Sequence, residues 1–291
     1  MKSKTAIVTG ANSGMGLATT IELALQGYHV IMACRSEERG RKALNEAIAA
    51  TGSKQIELML LDLGSLSSIR RFAEQFQSVH EKLDVLINNA GVVSLKREET
   101  SDGFEMGIGV NHLGHYLLTR LLLPSLLHAP EGRVVNVASG AYKFGKIHQE
   151  DPHLTKGFNV VKSYGQSKLA NVLFTRELAY RLEGTSVTVN ALHPGAVGTS
   201  IGVNRNTGFG TKIMAFLAKT PFFLSPEEGA RTAIYLAIRP EVKGVTGEYF
   251  YEEKVQELKP HAMDEATSQF LWNWSAEQTG LPYDLELTRM A

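Results

Sequence analysis

Short apolar, β-branched runs recur along the chain, and longer mixed stretches separate them. Thr5–Thr9, Tyr28–Cys34, Ile56–Leu61 and the run from Val85 into Asn88-Asn89-Ala90-Gly91 read as buried strands. Helix-length segments lie between them. Leu17–Gln26 is stopped by Gly27, Glu37 to about Ala50 ends before Gly52, and Ser65 caps a stretch running to about His80. The alternation continues with a long helix from Gly103 to Leu127, a strand at Arg133–Ala138, a helix from Tyr164 to Leu182 and a strand at Val187–Leu192. A helix from Pro226 to Ile238, with proline in its first turn, and an edge strand at Gly247–Tyr251 complete it. Strands joined by helices of this length build a parallel sheet. The pattern predicts one α/β domain over residues 1–291, doubly wound, with a mainly parallel seven-stranded sheet and helices on both faces. Two stretches break the rhythm: a segment at 142–160, inserted before the Tyr164 helix, and residues 200–224, with Gly202, Gly208, Gly210 and the apolar run Ile213–Leu224. Both leave the C-terminal ends of strands, where open α/β sheets bind ligands, so the second reads as a substrate lid.

The first strand runs into Thr9-Gly10-Ala11-Asn12-Ser13-Gly14-Met15-Gly16 and then a helix. Glycines there permit a tight turn and let backbone N–H groups approach a pyrophosphate at a helix N-terminus. The spacing is G-x-x-x-G-x-G, not the commoner G-x-G-x-x-G. In first position of a βαβ series it predicts a Rossmann-type dinucleotide site, with Gly10, Asn12, Ser13, Gly14, Met15 and Gly16 against the cofactor. An NAD-preferring fold places a carboxylate at the end of the second strand, on the ribose 2′-hydroxyl. Here Cys34-Arg35-Ser36 occupies that place. Arg35 suits a 2′-phosphate, so the expected cofactor is NADP(H), contacted by Arg35 and Ser36; the bland reading of Arg35 is a solvated surface side chain. Glu37 and Glu38 fall in a helix's first turn, where the dipole favours acids. At the third strand's end Asp62, followed by Leu63, either accepts from an adenine amine or serves its own turn. Small residues at Asn89, Ala90 and Gly91 let the backbone pass close to the cofactor.

Tyr164 and Lys168 are four residues apart on a helix and so share a face. A phenol ordinarily titrates near ~10. A cation beside it favours the phenolate and brings it towards working pH, which makes a tyrosine a general acid/base. Alone, such a pair is most often a surface aromatic beside a solvated cation.

Taken together these residues resemble the short-chain dehydrogenase/reductase family. The resemblance rests on the Thr9–Gly16 turn, Asn88-Asn89-Ala90-Gly91, Asn111 in Val110-Asn111-His112, Ser139 after Val137-Ala138, Tyr164-x-x-x-Lys168 and Pro194-Gly195-x-Val197-x-Thr199, in family order over residues 5 to about 200. It implies a catalytic set of Asn111, Ser139, Tyr164 and Lys168. Tyr164 would exchange a proton with the substrate oxygen, Lys168 would lower the Tyr164 pKa and hold the nicotinamide ribose, Ser139 would bond the carbonyl oxygen, and Asn111 would hold a water in a proton relay. Pro194, Gly195, Val197 and Thr199 would lie against the nicotinamide. Ala33-Cys34-Arg35, Gly109–His115, Ser167–Asn171 and His193-Pro194-Gly195 are similar to the retinol dehydrogenase and carbonyl reductase-like branch. That implies NADP(H)-dependent interconversion of a carbonyl and an alcohol on a lipophilic small molecule: an aldehyde, ketone, retinoid or steroid. The reading from another class is a non-catalytic NADP(H) sensor on the same fold. Ser139 and Tyr164 are 25 positions apart, about a dozen more than in the shortest members. The added segment is expected beside the pocket, with Tyr142 and Phe144 among its apolar walls.

Composition narrows the partners. Hydrophobic residues make up 43% and charged residues 21%, as in ordinary globular proteins, and Lys plus Arg equal Asp plus Glu at 30 each. That balance offers no electrostatic footprint for nucleic acid. Cys34 is the single cysteine, so an intrachain disulfide and a cysteine-based zinc site are excluded. His112 and His115 lack a third ligand at a recognisable spacing, and no metal is expected. No apolar run reaches the ~18 residues that span a bilayer. Met1-Lys2-Ser3-Lys4 leads directly into a strand, without the apolar stretch of a signal peptide, and the expected location is cytoplasmic. Monomer and homodimer both stay open.

Overall fold

The computed structural model describes residues 3–196 and 224–285. Val197, Thr199 and the lid region up to residue 223 lie outside the described residues.

The strands are β1 (Thr5–Thr9), β2 (His29–Cys34), β3 (Ile56–Leu60), β4 (Val85–Asn88), β5 (Arg133–Val137), β6 (Thr188–His193), β7 (Tyr249–Tyr251) and β8 (Lys254–Val255). They form one sheet in the order β3-β2-β1-β4-β5-β6-β7-β8. β1 to β7 pair in parallel, and β8 runs antiparallel to β7. After β1 the chain winds outward to β2 and β3. It then crosses back to β4, leaving a switch point between β1 and β4 at which ligands gather.

Alternate residues of the inner strands feed two cores, as a sheet covered on both faces requires. On one face Ile7, Ile31, Leu86 and Val134 pack under α3 (Leu66–Val79), α4 (Gly114–Leu127), α5 (Val160–Arg181) and α7 (Glu265–Thr279). On the other, Ala6, Val8, Met32 and Ile87 pack under α1 (Gly14–Leu25), α2 (Glu37–Thr51) and α6 (Pro226–Ile238). The caps follow the sequence. Ser36 and Ser65 accept from Arg39 and Ser68 N–H, and Ser225 with Glu228 forms a reciprocal capping box ahead of Pro226.

Three departures from the sequence pattern stand out. The sheet has eight strands rather than seven, because β7 turns back through Glu252 and Glu253, both left-handed (φ 49° and 63°). Such two-residue hairpins usually announce themselves with Asn-Gly or Asp-Gly, and two glutamates give no such sign. The helix carrying Tyr164 begins a turn earlier, at Val160, where the Asn159 side chain accepts from Val161 and Lys162 N–H. The long helix predicted from Gly103 starts at Met106 and passes through a π-helical turn, Gly109–Leu113, before α4. Single π-turns often mark functional positions, and Asn111 sits in this one.

Candidate active site

Above the switch point a cleft of about 540 Å³ opens across the C-terminal ends of the strands. Gly10, Asn12, Ser13, Gly14, Met15 and Gly16 form one wall, and Arg35, Asp62, Leu63, Asn89, Ala90 and Gly91 form its floor and far side. Ser139, Tyr164, Lys168, Pro194 and Gly195 close the other end. Seventeen predicted residues, drawn from six strand ends and α5, thus meet in one cavity. Gly10 turns the chain at φ +66°, and a Cβ on Gly16 would collide with the Gly10 carbonyl. Only glycine lets α1 begin this close to β1, with its N-terminal N–H groups facing the cleft.

Two predicted residues lie elsewhere. Ser36 is not part of the lining; its hydroxyl accepts from Arg39 N–H at 3.4 Å as the cap of α2. Asn111 is fully buried behind the cleft wall. Its Oδ1 accepts from Val92 N–H (2.8 Å), and its Nδ2 donates to Val92 C=O (3.0 Å) and Ser167 Oγ (3.0 Å). These bonds tie the loop after β4 to α5 and hold the Asn111 side chain in place. Asp62 serves its own turn, with Oδ1 accepting from Gly64 N–H at 2.9 Å, while also facing the cleft.

The inserted segment also departs from expectation. Residues 145–159 contribute nothing to the described cleft lining. Gln166 of α5 holds the segment at both ends, accepting from His148 N–H and donating to Pro152 C=O, and His153 stacks on Phe104 at 5.6 Å. Tyr142 is buried in the core against Tyr249, and Phe144 is exposed, so neither walls the cleft.

The reactive groups have distinct environments. Ser139 caps the 3₁₀ turn Gly140–Phe144, accepting from Ala141 N–H, which fixes its hydroxyl beside the Tyr164 phenol. Burial raises the Tyr164 pKa above its ordinary value, and the Ser139 hydroxyl offsets part of the rise. Lys168 is buried, and this pulls its ammonium down to about 8. Its Nζ lies 5.7 Å from the Tyr164 ring centre and donates to Val137 C=O at 3.0 Å, its one hydrogen-bond partner among the described residues. A buried ammonium has three donors to satisfy. The unmet demand faces the cleft, where Gly91 allows close approach.

Sequence reasoning missed Arg39, which lines the cleft beside Arg35 from the first turn of α2; its place just after the β2 end was the available sign. It also missed the network under the floor. His115 Nδ1 faces Asn111 C=O at 3.1 Å, and a carbonyl can only accept, so Nδ1 carries the proton. Nε2 then accepts from the Thr9 hydroxyl at 2.9 Å, and Thr9 Oγ1 accepts from Asn89 and Ala90 N–H. One chain of bonds links β1, the loop after β4 and the π-turn. Burial keeps His115 neutral, with its pKa lowered to about 4. His112 points elsewhere, its Nε2 2.8 Å from Ser275 Oγ of α7, so the two histidines do not converge.

The sequence profile of the short chain dehydrogenase family matches residues 4–208. The chain is 46% identical over 291 residues to retinol dehydrogenase 14 of Mus musculus, covering 97% of this chain and 87% of that protein. It is 44% identical to retinol dehydrogenase 13 of Homo sapiens, covering 96% and 85%. Among solved structures, an uncharacterised protein of Mycobacterium paratuberculosis superposes with a TM-score of 0.76 at 36% identity, covering 97% of this chain and 95% of that one. An actinorhodin polyketide ketoreductase solved with NADPH superposes with a TM-score of 0.66 at 28% identity, covering 85% and 95%. With its cleft at the switch point and these relatives along nearly its whole length, the chain belongs to the short chain dehydrogenase family, whose chemistry is the interconversion of an alcohol and a carbonyl.

Proposed function

We propose that the protein is an NADP(H)-dependent oxidoreductase that interconverts a carbonyl and an alcohol on a lipophilic small molecule, with Tyr164 as general acid/base. The observation that carries this reading is the convergence of Ser139, Tyr164 and Lys168 on the cleft that the glycine turn opens. The retinol dehydrogenase relatives favour a lipophilic substrate, and so do the apolar walls Val92, Val110, Val137, Ala138 and Ala196. Arg35 and Arg39 favour a phosphorylated ribose, since two guanidinium groups and no carboxylate line the cleft at the end of β2.

The residues fit a bound dinucleotide: a glycine cradle at a helix N-terminus, and a buried lysine short of partners at the other end. When bound, the nicotinamide supplies or accepts the hydride. The Ser139 hydroxyl holds the substrate oxygen beside the Tyr164 phenol. In reduction, Tyr164 donates its proton to that oxygen, and its raised pKa keeps the proton in place until it is needed. In oxidation the phenolate accepts the proton, and the Lys168 charge offsets the cost of forming an anion in a buried site. The apolar walls exclude bulk water from the reacting oxygen.

The test is loss of NADPH absorbance against a panel of lipophilic aldehydes, ketones and retinoids, with NADH in parallel. Turnover with NADPH well above that with NADH is expected. Equal use of NADH removes the argument from Arg35 and Arg39. Tight NADPH binding with no turnover of any carbonyl favours the sensor.

A further inference from the structure

A second group of reactive side chains lies at the other ends of the strands. His29 opens β2, Glu57 is the second residue of β3, and His80 is the C-cap of α3. Glu57 pairs with Ile31, and residues two apart on a strand share a face, so His29 and Glu57 emerge on the same side of the sheet. It is the side that α3 covers, because Ile31 packs in one core with Phe72 and Phe76. Where α3 ends, His80 therefore comes down beside the other two. Separations of 28 and 23 residues along the chain gave no hint of the meeting.

The geometry is that of a ligand set. His29 Nε2 and His80 Nε2 each lie 3.3 Å from the same oxygen, Glu57 Oε1, and all three atoms fall within 4.8 Å of one another. His80 Nε2 and Glu57 Oε1 are within hydrogen-bond reach, but the bond is long beside the ~2.7–2.9 Å of a charge-assisted pair. A separation of 3.3 Å is instead close to the edge of a tetrahedron whose corners stand ~2.0–2.1 Å from its centre, the usual zinc–ligand distance. Both rings are fixed: His80 stacks on Phe76 at 4.8 Å, and His29 meets His80 edge-on at 5.2 Å. Side-chain exposures of 27%, 44% and 15% for His29, Glu57 and His80 leave a path from solvent and room for water at a fourth position.

We propose that His29, Glu57 and His80 bind a divalent transition-metal cation of the zinc type. Two neutral imidazole nitrogens and one carboxylate are a donor set zinc accepts, with water completing the tetrahedron. The site is separate from the cleft, since His29 and Cys34 stand at opposite ends of β2, ~17 Å apart at strand rise. A cation there pins the end of α3 to β2 and β3; it stabilises the fold and takes no part in hydride transfer.

The test uses the full chain, stripped by chelator and titrated with zinc chloride in a calorimeter, then with cobalt(II) as a visible-absorbing probe. One equivalent of zinc binds, cobalt(II) gives the strong visible bands of a tetrahedral complex, and zinc at 100 times its Kd raises Tm by ~5 °C. His29→Asn, His80→Ala and Glu57→Gln each weaken zinc binding at least tenfold and remove the Tm shift, while turnover in the metal-free protein stays at the parent value. If His80→Ala does not fold, His29→Asn and Glu57→Gln carry the test. The absence of saturable one-to-one binding overturns the proposal. So does binding that the substitutions leave unchanged, which marks an adventitious ion only at other histidines.

Discussion

The two ends of the sheet treat their polar side chains in opposite ways. Beneath the cleft, Thr9, Asn111 and His115 are buried and satisfy one another, and Asn88 and Asn136 are bonded across β4 and β5. At the far end His29, Glu57 and His80 stay partly exposed and turn three polar atoms on one point. Lys168 departs from the rule of the cleft end, buried yet with a single partner among the described residues, and Asn88 Oδ1 and His112 Nδ1 are buried there without one. A satisfied network is a scaffold, because adding a ligand would first break a bond; a group short of partners is where a ligand gains most. Lys168 meets that description, and the histidine–glutamate cluster, held by one long His80–Glu57 bond, comes near it. The side chains of Asn111 and His115 do not.

The largest effect tests the cleft itself. Tyr164→Phe removes one oxygen from a buried site and leaves the lining otherwise intact. It should lower kcat/KM by ~10²–10⁴-fold, the usual worth of a positioned acid/base, with NADPH affinity unchanged in a fluorescence titration. Retained turnover would remove Tyr164 from the chemistry and leave the cleft a binding site.

Lys168→Met sharpens the contrast between scaffold and ligand group. At pH 7 the lysine is protonated in both folded and unfolded chains, and the folded chain bears the cost of the buried charge. The fall from the ordinary 10.5 to about 8 sets that cost at about 3 kcal/mol. A methionine of similar length relieves it, and Val137 C=O keeps Asn171 as a donor. The variant should lose turnover and NADPH affinity, yet melt ~5 °C higher at neutral pH. In the parent protein the penalty fades as pH rises from 8 towards 10.5, where the unfolded chain still binds the proton and the folded one does not, so the gap in Tm should close there. A lower Tm for the variant at pH 7 would make Lys168 a structural group and erase the distinction.

The sequence disclosed the sheet's winding and most of the cleft because both depend on local signs. Apolar runs mark β1 to β6, and the glycine turn, Ser139 and the Tyr164/Lys168 pair all stand at strand ends or on one helix face. What it hid depends on register. Glu57 meets His29 only because β3 pairs with β2 as it does, and the inserted segment's contacts are fixed by Gln166, a residue with no motif of its own. β8 was hidden by a left-handed Glu252-Glu253 turn, and Asn111's engagement by a π-turn that no residue type announces. His112 and His115, three apart on one helical stretch, do not converge, whereas His29 and His80, 51 positions apart, do.

The smallest effect tests the scaffold. His115 is neutral in the folded protein, with a pKa of about 4, against the ordinary 6.5 when unfolded. Between those values the unfolded chain binds a proton that the folded chain refuses, so stability is complete above pH 6.5 and falls as pH drops towards 4, by about 3 kcal/mol for this group. His112, lowered to about 3, adds to the same slope. His115→Leu removes one contribution while leaving His112 in place. At pH 7.5 it should cost about 1–3 kcal/mol, because Asn111 C=O loses its donor in a buried site. From pH 6.5 to 5, above the range in which most carboxylates titrate, its Tm should fall less steeply than the parent's. Turnover should drop only a few-fold, with the pH profile of Tyr164 unmoved, since His115 acts through the position of Asn89 and Ala90. A shifted profile would place His115 in the proton path, and the floor of the cleft would then be part of its chemistry.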